Sequence, residues 1–500
     1  MDGALRRERG PKAPLLRAMD FPSVSRDLTT LILDNNKIES IEDGIITSMT
    51  ALRDLRLEHN NLTKLPDDIG NLVRLQQLRL GWNQITTIPS TIGKCLNLSD
   101  INLEENKLTD ESFPPEFGNC VLMKYFWAER NQLTKIPEFV RNFPQLERLG
   151  LHENKIATIP PWLDDLVGMK EFMLQQNKIV NVPHGIKGMP LLQVLHLERN
   201  KVEELPACIG EMTDMEELCL DENYITKIPS SIGLLTKLNT LSARKNRISS
   251  IPAEIGECKA LKIFRMDENL LRTIPPTLAK IQTLRELSVT RCQVRELPAS
   301  FCDLPDLIGV YLEHNKLSSV PDELGNLKPL QVLALENNTI SRIPSSLGNC
   351  KHLRDLILVD NTIERLPKEL GLCTSLEKLD ATGNRLTTLP AELGDCPALV
   401  DLMVSDNQIT HIPDTIYQIP TLVRFFANQN QITSIPKAVK GLQACNNFDF
   451  GDNMITSVPE EIGELPLLEQ LNIRGRWQLP LSLSPQNPKT PKPHDKSIDV

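Results

Sequence analysis

The side chains with the greatest capacity for catalysis or metal binding in this sequence are its 8 His and 11 Cys. No H-E-x-x-H pair, no C-x-x-C pair and no glycine-rich phosphate loop accompanies them. Six cysteines share one position of a repeated frame: Cys95, Cys120, Cys258, Cys350, Cys373 and Cys396. Such a slot is typical of small buried hydrophobic residues. We therefore expect no catalytic residue, no metal ion and no cofactor. A metal or redox site built from Cys350, Cys373 and Cys396 is the alternative.

Carboxylates recur at a second position of the same frame. They are Glu58, Glu104, Glu129, Glu198, Asp221, Asp267, Glu313 and Glu336. Arginines are interleaved with them at Arg56, Arg79, Arg244 and Arg265, so the charge of this acidic stripe is mixed. The pattern fits two alternatives, a solvated face or a surface that steers a basic partner towards the chain.

Aromatic residues are informative because they make up only 4% of the chain. Two groups are expected to project from the same face as the acidic stripe. The first group is Trp82, Tyr125 and Trp127, and the second is Tyr311, Val332, Ala334, Ile357, Val359, Met403 and Phe426. Tryptophan and tyrosine beside apolar side chains are typical of the core of a protein interface. We expect a partner to bind here, and scattered apolar residues without a role are the alternative.

An asparagine that recurs every 23 residues sets the frame for all of these positions. From Asn60 the spacing holds, apart from one two-residue insertion, as far as Asn453, and Cys292 is the one exception. The predicted ladder is Asn60, Asn83, Asn106, Asn131, Asn154, Asn177, Asn200, Asn223, Asn246, Asn269, Cys292, Asn315, Asn338, Asn361, Asn384, Asn407, Asn430 and Asn453. An amide is both donor and acceptor, so stacked asparagines can satisfy the backbone groups of a tight turn.

Around each ladder position stands the pattern L-x-x-L-x-L-x-x-N, as in residues 75–83, followed by Pro89 and Gly93 in the same repeat. The alternation of Leu78 and Leu80 with polar neighbours predicts a short strand, and the remainder predicts a returning segment. The pattern resembles the leucine-rich repeat. It predicts an α/β fold, a leucine-rich-repeat solenoid shaped as a curved horseshoe. A parallel β-sheet would line its concave face, with about 19–20 repeats of 23 residues.

The repeats divide the chain into three predicted parts. Residues 1–27 form a short amino-terminal segment and cap, residues 28–475 form the solenoid, and residues 476–500 form a carboxyl-terminal cap and a disordered tail. Phe21 and Val24 are the candidates for closing the amino-terminal end of the core.

Each predicted end carries a short linear motif. Arg17–Phe21 approximates the basic-x-Val-x-Phe peptide that docks on the type-1 serine/threonine phosphatase, with Met19 in place of valine. The alternative is that Phe21 is only a cap. Ile498 and Val500 place hydrophobic residues at the third-last and last positions, which a PDZ domain accepts by strand addition.

Charge and hydropathy limit the classes of partner and compartment. The 55 Lys and Arg against 65 Asp and Glu give a formal charge of -10, which disfavours nucleic acid and favours basic protein partners. No apolar run reaches the length of a signal-peptide core or a transmembrane segment. We expect a cytoplasmic protein with reduced cysteines.

The returning segment, as in the I-P-x-x-I-G of residues 88–93, resembles that of the intracellular Ras-group leucine-rich-repeat proteins, most closely the Shoc-type Ras/Raf signalling scaffolds. The resemblance implies a non-enzymatic scaffold whose concave face engages a Ras-type GTPase and the type-1 phosphatase catalytic subunit. Similar repeats occur in cell-polarity and plant Ras-group adaptors, which are the alternative functions together with a regulatory subunit that targets a phosphatase.

Overall fold

The computed structural model describes residues 27–475 and the backbone of three short strands outside them, Ala4–Arg6, Leu15–Leu16 and Ile498–Asp499. Two compact units divide the chain, Met1–Ile248 and Ser249–Val500. The Arg17–Phe21 motif, the predicted caps and the side chains of the PDZ-like terminus lie outside the described residues.

Unit 1 is built on a parallel sheet with one three-residue strand in each repeat. Its strands are Thr30–Ile32, Asp54–Arg56, Gln77–Arg79, Asp100–Asn102, Tyr125–Trp127, Arg148–Gly150, Glu171–Met173, Val194–His196, Glu217–Cys219 and Thr240–Ser242. Each strand pairs with the next at the same position of the frame, so that Leu78 lies beside Ile101. The strand Ala4–Arg6 pairs with Thr30–Ile32, and Leu15–Leu16 pairs with a two-residue strand at Ser40–Ile41.

Unit 2 repeats the same arrangement. Its strands are Ile263–Arg265, Glu286–Ser288, Gly309–Tyr311, Val332–Ala334, Asp355–Ile357, Lys378–Asp380, Asp401–Met403, Arg424–Phe426, Asn447–Asp449 and Gln470–Asn472. All neighbouring pairs are parallel and keep the frame, as where Leu333 lies beside Leu356. Ile498–Asp499 pairs with the strand Gln470–Asn472.

The returning segments are 3₁₀ helices of three to five residues. In unit 1 they are Ile46–Ser48, Asp67–Asn71, Ser90–Lys94, Asp110–Ser112, Pro115–Asn119, Glu138–Asn142, Pro161–Asp165, His184–Gly188, Ala207–Glu211 and Ser230–Leu234. In unit 2 they are Ala253–Glu257, Pro276–Lys280, Ala299–Asp303, Asp322–Asn326, Ser345–Asn349, Lys368–Leu372, Ala391–Asp395, Ile416–Gln418, Lys437–Gly441 and Glu460–Glu464.

The recurring proline explains where these helices begin. Pro89 is extended, with φ -69° and ψ 148°, and directly precedes the helix Ser90–Lys94. Its carbonyl accepts a hydrogen bond from the amide of Ile92 at 3.1 Å, and the Ile92 carbonyl accepts one from Cys95 at 2.9 Å. These bonds span three residues, as in a 3₁₀ helix. Each return makes only one or two such turns, so it does not extend into an α-helix.

The core of each unit is a stack of aliphatic side chains with one aromatic cluster. Leu75, Leu78 and Leu80 are fully buried, as are their counterparts in other repeats. The cluster of unit 1 contains Phe113, Phe117, Phe126, Phe139 and Phe143, with ring centroids 5.0–6.2 Å apart. The cluster of unit 2 contains Tyr417, Phe425, Phe448 and Phe450. Nine aromatic rings are therefore concentrated in these two clusters, whereas Phe172, Phe264 and Phe301 are buried elsewhere in the core.

The ladder asparagines bind the turn of their own repeat to that of the repeat before it. The amide nitrogen of Asn83 donates to the carbonyls of Leu57, Leu80 and Gly81 at 2.9, 3.0 and 3.2 Å. Its oxygen accepts a hydrogen bond from the backbone amide of Leu62 at 2.9 Å. At Cys292 the thiol donates to the carbonyl of Met266 at 3.5 Å and accepts from the backbone amides of Asn269, at 3.4 Å, and Leu271. Cys292 therefore replaces part of the amide's bonding.

Candidate functional site

The exposed face of each sheet is organised in rows set by the distance to the ladder position. The first, second and third rows hold the residues six, four and two positions before it, and they alternate with the buried leucines. The rim row holds the residue directly before the ladder position. Rim residues have left-handed backbones, with φ 59° at Trp82 and 52° at Arg130. The direction of a rim side chain therefore differs from that of the three sheet rows.

Trp82 accordingly does not join Tyr125 and Trp127, although sequence analysis grouped the three. It is 41% exposed in the rim row and stacks on His59 with a centroid distance of 5.1 Å. The Arg130 guanidinium lies 5.8 Å from the centre of its ring. Trp82 therefore belongs to a charged rim beside the candidate site.

Tyr125 and Trp127 lie in a surface depression of unit 1 with a volume of about 460 Å³. Its lining consists of Arg79, Asp100, Asn102, Glu104, Tyr125, Trp127, Glu129 and Arg148. Four consecutive strands contribute these residues, from Gln77–Arg79 to Arg148–Gly150. The depression thus combines two aromatic rings with carboxylates and arginines.

Glu129 is the most constrained residue of this depression. It is 4% exposed, and its Oε2 has no hydrogen-bond partner among the described residues. Its Oε1 lies 3.9 Å from Nδ1 of His152. Gly150 makes the position possible, because a Cβ there would collide with Glu129 Oε1 and lie 2.5 Å from Cε3 of Trp127. Burial raises the pKa of the Glu129 carboxyl to about 7.

Both arginines of the depression already have carboxylate partners. Arg79 pairs with Asp100, and Arg148 pairs with Glu171 at 3.0 Å. The Arg148 guanidinium also lies 5.7 Å from the centre of the Tyr125 ring. Among the described residues no lysine or arginine forms a salt bridge with Glu129, whose carboxyl lines the depression next to the Trp127 ring. Such a combination suits a positively charged side chain, which aromatic faces and carboxylates both attract.

Four half-buried apolar side chains, which we call the apolar row of unit 2, are Tyr311, Val332, Ile357 and Val359. Tyr311 and Ile357 stand in the second row of the frame, Val332 in the first and Val359 in the third. Tyr311, Ala334 and Ile357 are direct neighbours on three paired strands. Tyr311, Ile357, Val332 and Val359 are half-buried, whereas Ala334 is buried. Asp380 follows Ile357 in the second row and separates this group from the adjacent pair Met403 and Phe426. The predicted surface is thus two apolar patches with a carboxylate between them.

Tyr311 and Glu313 have the same relation as Trp127 and Glu129. The Tyr311 ring leans over Gly309, where a Cβ would lie 2.9 Å from Cε2 of the tyrosine. Oε2 of Glu313 is buried without a hydrogen-bond partner among the described residues. Burial raises the pKa of Glu313 to about 7, and the nearby Glu336 acts in the same direction.

The acidic stripe is not a continuous solvated row. Glu129 and Asp221 are buried. Asp221 binds Arg244 at 2.7 Å and accepts a hydrogen bond from Ser242 at 2.6 Å. Asp267 accepts a hydrogen bond from the amide of Thr290 at 2.8 Å. The expectation of a solvated face does not hold for these carboxylates, because Glu129 is buried and neighbouring strands supply partners to Asp221 and Asp267.

Sequence analysis missed a group formed by His196, Glu217 and Cys219. Potential ligand atoms of the three side chains lie within 4.8 Å of one another on adjacent strands. A signal was present, since His196 and Cys219 occupy the same position of consecutive 23-residue repeats. Spacing rules for linear metal motifs do not detect pairs formed across repeats.

The cysteines of the recurrent slot are buried thiols. Cys350 and Cys373 donate to backbone carbonyls of the preceding repeat, at 3.7 and 3.5 Å. Burial raises the pKa of the Cys373 thiol to about 11 and that of Cys396 to about 12. The surroundings of these thiols are those of small buried hydrophobic side chains. None of the described helices is long enough to cross a membrane.

Comparison with known proteins identifies the repeat. A leucine rich repeat family model matches residues 26–85 and 305–363, and a leucine-rich repeat region model matches residues 162–269. A search of curated proteins finds no match.

Solved structures with the same architecture come from bacteria and plants. The leucine-rich-repeat protein LIC12759 of Leptospira interrogans is 29% identical, with a TM-score of 0.69, and the match covers 81% of this chain and 98% of that one. The Arabidopsis receptor kinase HAESA, solved with the peptide hormone IDA and the co-receptor SERK1, is 26% identical. Its TM-score is 0.73, with 89% of this chain and 78% of that one covered. YopM of Yersinia enterocolitica is 24% identical, with a TM-score of 0.67 and coverage of 89% and 87%.

These matches agree with the strands and returns described above. The predicted fold class is confirmed: both units of this chain are leucine-rich-repeat solenoids.

Proposed function

We propose that this protein is a non-enzymatic scaffold that binds protein partners on the exposed sheet faces of its repeats. The observation that carries the proposal is the apolar row of unit 2. Its side chains lie on three consecutive strands, outside the leucine core and half open to solvent. Apolar and aromatic groups in such a position favour a partner, because binding removes them from water.

Structures of similar proteins support a binding role. HAESA was solved in complex with a peptide hormone and a co-receptor, and the plant receptor RGFR1 was solved in complex with RGF2. In the present chain the depression around Trp127 adds a second kind of contact. It offers aromatic rings and the Glu129 carboxyl to a lysine or arginine of a partner.

The specific form of the proposal is a cytoplasmic scaffold in Ras signalling that holds a Ras-type GTPase and the type-1 phosphatase catalytic subunit. The resemblance of the I-P-x-x-I-G return to that of Ras-group proteins supports this form. A cell-polarity or plant-type adaptor, in which similar repeats occur, and a phosphatase-targeting subunit are the alternative forms of the proposal. A PDZ domain is a further proposed partner, at the carboxyl terminus.

The decisive experiment compares partners of the wild-type chain with those of the double variant Tyr311→Ala/Ile357→Asp. We expect the variant to lose about 2 kcal/mol of binding free energy, or ~30-fold in affinity, because the centre of the row is removed. Affinity purification from the native cell followed by mass spectrometry identifies the partner, and titration measures the loss. Leu372→Asp is the matched control, since Leu372 is 51% exposed on a 3₁₀ helix away from the sheet.

Equal binding by wild type and the double variant would show that the row is not the interface.

For the phosphatase, Met19→Ala/Phe21→Ala should abolish association if Arg17–Phe21 is the docking peptide. Phosphatase recovery that this second variant leaves intact would remove the motif from the proposal.

A further inference from the structure

His196, Glu217 and Cys219 bring three kinds of metal ligand together on two paired strands of unit 1. His196 and Cys219 are direct neighbours in the second row. Glu217 precedes Cys219 by two residues, so its side chain lies on the same face of the strand. An imidazole, a carboxylate and a thiol therefore meet at one point of the sheet face.

Two of the three distances among these groups match those around a zinc ion. Oε1 of Glu217 lies 3.3 Å from Nε2 of His196 and 3.5 Å from Sγ of Cys219. A tetrahedral Zn²⁺ with normal bond lengths places an imidazole nitrogen ~3.3 Å and a thiolate sulfur ~3.5 Å from a carboxylate oxygen. The ligand atoms of His196 and Cys219 lie within 4.8 Å of each other, so small side-chain movements would complete the site.

The group is also electrostatically suited to a cation. Nε2 of His196 is buried and makes no hydrogen bond among the described residues, although a carboxylate lies near it. Oε2 of Glu198, two residues beyond His196, is likewise buried and without a partner there. Asp221 is already held by Arg244 at 2.7 Å. Glu198 and Glu217 thus leave negative charge around the three ligand atoms.

We propose that His196, Glu217 and Cys219 bind one Zn²⁺ ion, with water in the fourth position. A thiol and an imidazole favour zinc over magnesium and calcium, which prefer oxygen ligands alone. Binding replaces the thiol proton of Cys219 with a sulfur–zinc bond and releases that proton to solvent. The site goes beyond the proposed scaffold function, which needs no metal.

Another histidine–cysteine pair in the same unit provides a matched control. Sγ of Cys208 lies 3.6 Å from Nδ1 of His184. Among the described residues, the group of three potential metal ligands is His196, Glu217 and Cys219. It includes neither His184 nor Cys208. Cys208 and Cys219 are both buried thiols beside a histidine, and of the two only Cys219 belongs to the group of three potential ligands.

The test is a zinc titration of the reduced, metal-free full chain in competition with a chromophoric chelator. We expect one Zn²⁺ per chain and a loss of about 100-fold or more in affinity for Cys219→Ser and for Glu217→Gln. Cys208→Ser should bind like the wild type. Co²⁺ provides a second readout, since the wild type and Cys208→Ser should show sulfur-to-cobalt charge-transfer absorption that Cys219→Ser lacks.

Circular dichroism checks that each variant is folded. Glu217→Gln is the variant least expected to disturb the fold, because the Glu217 side chain is 43% exposed. Absence of stoichiometric zinc binding would overturn the proposal. So would binding that survives Cys219→Ser and Glu217→Gln, or an equal loss in Cys208→Ser, because an adventitious thiol would then hold the ion.

Discussion

The surroundings of Trp127 in unit 1 and of Tyr311 in unit 2 are two versions of one local arrangement. Both aromatic residues occupy the second row, and both have a glutamate two residues later whose Oε2 is buried without a partner among the described residues. A glycine lies against each ring, Gly150 beside Trp127 and Gly309 beside Tyr311. The ring and its glutamate, which we call a platform, thus occupy the same frame positions in both units. The glycines do not, since Gly150 lies on the strand after that of Trp127 and Gly309 lies on the same strand as Tyr311.

The neighbouring strand makes the two sites different. At the first-row position of the next strand, unit 1 has Arg148 and unit 2 has Val332. Arg148 lies over the Tyr125 ring and binds Glu171, whereas Val332 continues the apolar row. A side chain one repeat away thus makes the surface beside Trp127 charged and the surface beside Tyr311 apolar.

The largest effect should come from removing the ladder beneath both platforms. Asn131 donates to the carbonyl of Glu129 at 2.9 Å, and Asn315 donates to that of Glu313 at 3.3 Å. We expect Asn131→Leu and Asn315→Leu each to destabilise their repeat by about 3 kcal/mol, because a buried group left unpaired costs about 1–3 kcal/mol.

Hydrogen exchange followed by mass spectrometry measures the ladder effect locally, which suits a repeat array without a single unfolding step. Asn97→Leu is the control, because this exposed asparagine bonds outside the ladder. If exchange accelerated at one platform only, the two sites would not share the support inferred from their hydrogen bonds.

A smaller effect should appear in the pH dependence of stability. The ordinary pKa of a glutamate carboxyl is 4.5, whereas the pKa of Glu129 is about 7 in the folded chain. Between these pH values the folded chain keeps a proton that the unfolded chain has lost. Stability therefore falls as pH rises from 4.5 to 7 and changes no further above that range.

Glu129→Gln should remove this pH dependence. The difference in the free energy of unfolding between the variant and the wild type should therefore be about 2 kcal/mol more favourable to the variant at pH 8 than at pH 4.5. Denaturant unfolding at the two pH values, followed by tryptophan fluorescence, measures the difference. Glu313→Gln should act with the same sign and less strongly, because Glu313 is only half-buried. A constant offset at both pH values would rule out a raised pKa at Glu129.

The smallest effect on stability should come from adding a methyl group at Gly150 or Gly309. A Cβ at Gly150 would collide with Glu129, which is buried and has no room to move. At Gly309 the obstacle is the half-exposed Tyr311 ring, which can rotate outwards. We expect Gly150→Ala to cost about 1–2 kcal/mol and Gly309→Ala about 0.5 kcal/mol or less. Equal melting temperatures for the two variants would contradict this order.

The fold could be predicted from the sequence because the 23-residue frame repeats a strand, a turn and a return with little variation. The site could be predicted only in outline. The second row was identified, but the burial of Glu129 depends on Gly150, which stands one repeat later. The group around His196 and Cys219 likewise forms only when strands from different repeats pair. Interactions between repeats are not visible in a motif taken one repeat at a time.

Cys292, the single thiol in the ladder, affects where the unfolding of unit 2 begins. Each ladder amide ties its turn to the one before it, and Cys292 makes fewer and longer bonds than Asn315 does in the following repeat. In a one-dimensional array, cooperativity passes only between nearest neighbours. Cys292 therefore marks a weak link, and we expect heat or mechanical load to open unit 2 first at this repeat.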